Sequence, residues 1–156
     1  MKLLIIEDDE YKAKWIKQEV EGHFPDLEIL ESRSVNSGLL NATELRPDVV
    51  LLDMSLTTFD VGPNEAGGRP QNFGGLEVLR QFERLDIRMP TIVITQYNRF
   101  QEGNDEMTIN ALSKKLAEDF PNMVIDVIYY NSAQGRWRVE LIKVLRKLLR
   151  KETSRA

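Results

Sequence analysis

The chain has 156 residues, 42% hydrophobic and 29% charged, enough for one globular core and too short for a second domain of ordinary size. It holds no cysteine and one histidine, which removes disulfides, thiolate metal sites, cysteine nucleophiles and multi-histidine metal centres, and makes a Ser-His-Asp triad hard to build. A net charge of −4 argues against direct DNA binding, and no apolar run has the length to cross a bilayer; with no signal peptide in view, a cytoplasmic chain without membrane contact is the expectation.

Leu3-Leu4-Ile5-Ile6 is a short, wholly apolar run ending at Glu7, the pattern of a buried parallel strand. A helix is expected over 10–21, with Trp15, Ile16 and Val20 on one side, and His23 falls in the turn-like stretch beyond it as a solvated residue. A second, more exposed strand reads over 27–31, and a helix over 37–45 stops before Pro47, because the residue preceding proline disfavours helical angles. Val49-Val50-Leu51-Leu52 is the next apolar run and ends at Asp53. Residues 57–74, rich in Gly, Pro and Asn and without a period, read as a loop. A helix over 75–85 places Leu76, Val78, Leu79 and Phe82 toward the core, and Thr91-Ile92-Val93-Ile94 forms the fourth strand, ending at Thr95. After a polar, extended stretch, a helix is expected over 105–120, the fifth strand over 123–130, and a long amphipathic helix over 136–151 with Val139, Ile142, Leu145 and Leu149 inward. Five such βα units in succession make a parallel sheet with helices on both faces, because the crossovers are right-handed.

In a sheet of this kind ligands bind beyond the carboxyl ends of the strands. Three of the apolar runs end there in polar residues: Glu7-Asp8-Asp9 after the first, Asp53 after the third and Thr95 after the fourth. Neighbouring strands lie about 4.8 Å apart, so acids from the first and third converge. Crowded carboxylates repel and favour protonation unless a cation joins them. An all-oxygen cluster without histidine or cysteine points to Mg²⁺, and a carboxylate such as Asp53 beside it can act as a nucleophile toward phosphorus. Acids after strands also cap helices, and Asp9 and Glu10 are read in that role alone.

These residues resemble the receiver domains of two-component response regulators (CheY-like). The resemblance rests on Leu4-Ile5-Ile6-Glu7-Asp8-Asp9-Glu10, Pro47-Asp48-Val49-Val50-Leu51-Leu52-Asp53-Met54, Gly75-Leu76-Glu77-Val78-Leu79 and Pro90-Thr91-Ile92-Val93-Ile94-Thr95, and it spans nearly the whole chain. It implies a flavodoxin-like, doubly wound five-stranded parallel sheet of order 2-1-3-4-5, here as a single domain over 1–156 with a long inserted loop at about 56–74 and no output domain. It further implies Asp53 as phosphoacceptor, Mg²⁺ held by Glu7, Asp8, Asp53 and the backbone carbonyl of Ser55, and Thr95 as the switch hydroxyl. The implied partners are a histidine kinase or phosphotransfer protein and a downstream protein docked on the face of the fourth helix, fifth strand and fifth helix, a face that also admits a homodimer. The implied activity is that of a switch rather than an enzyme, with self-phosphorylation and self-dephosphorylation at Asp53 at most.

Three departures stand out. Where the family has a lysine at the end of the fifth strand, this chain reads Ile128-Tyr129-Tyr130-Asn131, with no lysine between Lys115 and Lys143. The inserted loop carries Arg69, a candidate replacement for that lysine, and Gln96 stands after Thr95 where the family has a small residue. The absent lysine makes a pseudo-receiver, binding partners without phosphorylation, the alternative reading. A Mg²⁺-dependent phosphohydrolase ranks behind both, since Met54 and Ser55 supply no second acid after Asp53 for proton transfer.

Overall fold

A computed structural model describes residues 1–59, 74–96, 99–102 and 105–153. In chain order the elements are β1 (Lys2–Ile6), α1 (Glu10–His23), β2 (Glu28–Ser32), α2 (Val35–Leu45), β3 (Val49–Leu52), α3 (Gly74–Arg84), β4 (Thr91–Thr95), β5 (Arg99–Glu102), β6 (Asp105–Thr108), α4 (Ile109–Asp119), β7 (Val124–Tyr129) and α5 (Arg136–Thr153). The main sheet is parallel throughout, in the order β2-β1-β3-β4-β7. Counting only its own strands, that is the expected 2-1-3-4-5.

The apolar runs are continuous because both faces of the sheet are covered. Leu4, Ile6, Val50, Leu52 and Val93 point to one side, against Val35 and Ala42 of α2, Leu76, Leu79 and Phe82 of α3, and Leu112 and Leu116 of α4. Leu3, Ile5, Leu51, Ile92, Ile94 and Ile128 point to the other, against Ile16 and Val20 of α1 and Trp137, Leu141 and Leu145 of α5.

The differences from the sequence reading have local causes. Helix α2 begins earlier than expected because Ser34 caps it: its side chain accepts from the Ser37 amide while the Ser37 hydroxyl accepts from the Ser34 amide. Residues 105–108 are not the first turn of a helix. They form β6, antiparallel to β5, and α4 starts after Thr108, whose side chain accepts from the Ala111 amide as N-cap. On α5, Ile142 and Leu145 are buried as expected, but Val139 is 71% exposed, and Trp137 and Leu141 complete the buried stripe. Trp15 also lies at the surface, with the Arg138 guanidinium 5.5 Å from its ring centre. Most of the inserted loop, 60–73, lies outside the described residues. Its entry is pinned to the start of α2, where the Val35 and Asn36 amides donate to the Thr57 and Thr58 carbonyls at 2.9 and 3.0 Å.

Candidate functional site

The parallel register of β1 and β3 sets Ile6 beside Leu52, so Glu7 and Asp53 leave the sheet as neighbours. The Asp53 amide donates to the Ile6 carbonyl at 3.1 Å, tying the two strand ends together. Glu7 and Asp53 are buried and Asp8 is half-buried, and one carboxylate oxygen from each lies within 4.8 Å of the others. The three acids expected to meet therefore do so.

Asp9 turns away from them and caps α1. Its side chain accepts from the Tyr11 and Lys12 amides at 2.9 and 3.1 Å, and its own amide donates to Glu7 Oε2 at 3.1 Å. The capping turn thus fixes the Glu7 carboxylate as well as the helix. From the opposite side α3 bears directly on the segment after Asp53, with the Gly75 amide donating to the Met54 carbonyl at 2.9 Å. A side chain at Gly75 would collide with the Asp53 carbonyl and lie 2.9 Å from Met54 Cα, so this close approach requires glycine. Ser55 is buried just beyond Asp53. Thr95, fully buried, closes β4 at the same end of the sheet, and its carbonyl accepts from the Tyr130 amide at 2.8 Å.

One member of this site was not singled out from the sequence. Lys12, in the first turn of α1, is 2% exposed and sends its ammonium under the acids. It ion-pairs with Glu7 Oε1, approaches Asp53 Oδ1 at 3.1 Å and donates to the Ile94 carbonyl at 2.7 Å. The Tyr130 ring centre lies 5.6 Å from Lys12 Nζ, and Tyr130 in turn packs on Trp137 at 4.8 Å between ring centres. Tyr130, the residue just beyond β7, thus faces a lysine arriving from α1. The signal was present in the spacing: Lys12, Ile16 and Val20 recur every fourth residue along the buried stripe of α1. Of the two tyrosines, Tyr130 is buried and Tyr129 is exposed. Arg69 lies outside the described residues.

The electrostatics follow from burial. Loss of water pushes the Glu7 carboxyl well above its usual range; Lys12 pulls it back and Asp53 adds to the rise. Burial also raises Asp8. For Lys12, burial disfavours the charged form, but the Asp53 and Glu7 carboxylates outweigh it and hold the ammonium above its ordinary value. With all three acids ionised, three negative charges against one positive leave the cluster at −2. That residual charge and the all-oxygen donor set fit one Mg²⁺ ion. Glu7 Oε1 also accepts no hydrogen bond among the described residues, although it is buried against the Lys12 ammonium.

No protein-family model matches the chain. It is 27% identical over 143 residues to the uncharacterized protein y4jR of Sinorhizobium fredii, covering 90% of this chain and 94% of that one. It is 25% identical to the Detocs response regulatory protein DtcB of Enterobacter cloacae, covering 95% of this chain and all of that one. Among solved structures, a CheY-like receiver domain protein from Methanospirillum hungatei superposes with a TM-score of 0.64 at 19% identity, over 98% of this chain and 97% of that one. The signal receiver domain of a Luxo repressor protein from Vibrio parahaemolyticus superposes at 0.63 and 16% identity, over 99% and 97%. The chain carries the CheY-like receiver fold of response regulators, with the acidic strand ends that the resemblance led us to expect.

Proposed function

We propose that this chain is a phosphoacceptor module of two-component signalling, taking a phosphoryl group on Asp53 and passing the change to a partner surface. The receiver fold and the response-regulator relatives support a signalling module of this kind. The observation that carries the finer reading is the convergence of buried Glu7 and Asp53 with Asp8 at the carboxyl ends of β1 and β3.

A carboxylate oxygen of Asp53 forms the new O–P bond while the N–P bond of a phosphohistidine donor breaks. The electron pair passes to the imidazole nitrogen, which takes a proton from solvent. Glu7, Asp8 and Asp53, with the Ser55 carbonyl, would hold Mg²⁺, which would offset the charge of the crowded acids and of the transferred oxygens. Asp53 is set for attack by the hydrogen bond from its amide to the Ile6 carbonyl and by the close packing of Gly75 of α3 against Asp53 and Met54. Thr95, at the end of β4, donates its hydroxyl to a phosphoryl oxygen. The β4–β7 register joins Thr95 to Tyr129, so a shift there reaches the exposed Tyr129. Around Tyr129 lies a concavity of about 300 Å³ lined by Ile109 and Ser113 of α4, Val127 of β7, and Trp137 and Glu140 of α5, which suits docking by a downstream protein or a second copy of the chain.

Incubation with phosphoramidate and Mg²⁺ should add one phosphoryl group, detected by intact mass and abolished by Asp53→Asn. An unmodified wild-type chain under the same conditions would favour the pseudo-receiver, in which the Lys12 ammonium stays paired with Glu7 and Asp53.

A further inference from the structure

We propose that Lys12, delivered from α1, is the cation that holds the phosphoryl group on Asp53; this rests on the reading of Asp53 as the phosphoacceptor. A lysine is almost never fully buried unless its charge is paired, so its position under the strand ends needs polar partners. It has three: an ion pair with Glu7 Oε1, and hydrogen bonds to Asp53 Oδ1 and the Ile94 carbonyl. Two of these do not change when Asp53 reacts. The third does. Once an Asp53 oxygen carries phosphorus, the carboxylate loses its charge and the attached oxygens bring a larger negative charge to the same place.

An ammonium already 3.1 Å from Asp53 Oδ1, anchored by Glu7 and the Ile94 carbonyl, meets those oxygens with little reorganisation. The face of Tyr130 lies against the same ammonium and favours its charge. Because Ile94 precedes Thr95, one cation links the phosphoryl group to the end of β4. The lysine missing at the end of β7 is thereby supplied from a different element, and the inserted loop is not required for it.

The test measures Mg²⁺ and beryllofluoride binding by calorimetry on the wild type, Lys12→Met and Asp53→Asn. Lys12→Met should bind Mg²⁺ alone at least as tightly as wild type, since a positive charge beside the ligands is gone, yet lose at least tenfold in beryllofluoride affinity. Opposite movements of the two affinities are not expected of a lysine that only supports the fold. Equal beryllofluoride binding by wild type and Lys12→Met overturns this inference and leaves Asp53 as phosphoacceptor. Absent binding by wild type, or binding that survives Asp53→Asn, overturns the reading of Asp53 and this inference with it. Should Lys12→Met not fold, the ¹⁵Nζ resonance of Lys12 in the wild type decides. A further shift when beryllofluoride is added to the Mg²⁺-loaded protein supports the contact, and an unmoved resonance overturns it.

Discussion

Two of the three lysines on helix α1 stand in opposite circumstances. Lys12, in the first turn, is 2% exposed and lies among Glu7, Asp53 and the Ile94 carbonyl. Lys17 is 39% exposed and pairs at the surface with Glu31 at 3.5 Å and Glu21 at 4.0 Å. Both are ion pairs by distance, yet water screens the second pair and not the first. An exposed pair is worth about 0.2–1 kcal/mol, whereas removing one partner from a buried pair costs about 3–5 kcal/mol, because the other charge is left without water or a counter-ion. The position of a lysine on the helix, on the apolar stripe or off it, decides which regime applies.

Substitutions along this gradient sharpen the comparison. Lys12→Met should give the largest loss, about 3–5 kcal/mol in metal-free buffer by urea unfolding, with part of it regained on adding Mg²⁺. If Lys12→Met proved neutral without metal, the acids would not depend on the ammonium. Gly75→Ala disturbs the same cluster from the α3 side. The added methyl has no room against the Asp53 carbonyl, and a loss of about 1–3 kcal/mol is expected, together with weaker beryllofluoride binding. Asp9→Ala removes the cap of α1 and the turn that orients Glu7, for about 1 kcal/mol. Lys17→Met should change the unfolding midpoint by less than about 0.5 kcal/mol; a cost approaching that of Lys12→Met would erase the distinction.

Much of this was legible in the sequence because strand ends in a parallel sheet are read directly from where apolar runs stop. Glu7, Asp53 and Thr95 each follow such a run, and register alone brings the first two together. The Gly74-Gly75 pair at the start of α3 marked a helix boundary, though its real demand, the closeness of Asp53, is a tertiary fact. Lys12 was missed because charge on an amphipathic helix is ordinarily read as its wet face. Its four-residue spacing with Ile16 and Val20 was the contrary sign. The start of α4 was misplaced for a similar reason. Thr108 caps the helix, and the pairing of β6 with β5 outweighs any helical tendency of Asp105–Thr108. On α5, Ile142 and Leu145 are buried as expected, whereas Val139 is exposed because Trp137 and Leu141 begin the buried stripe.

The central claim is that Asp53 sits in a competent, Mg²⁺-assisted phosphoacceptor site. Titration of the purified wild type with beryllofluoride, with and without Mg²⁺ and beside Asp53→Asn, tests it most directly. Saturable binding that requires both the cation and the Asp53 carboxylate is the predicted result. A folded protein that binds no beryllofluoride in millimolar Mg²⁺ would contradict it.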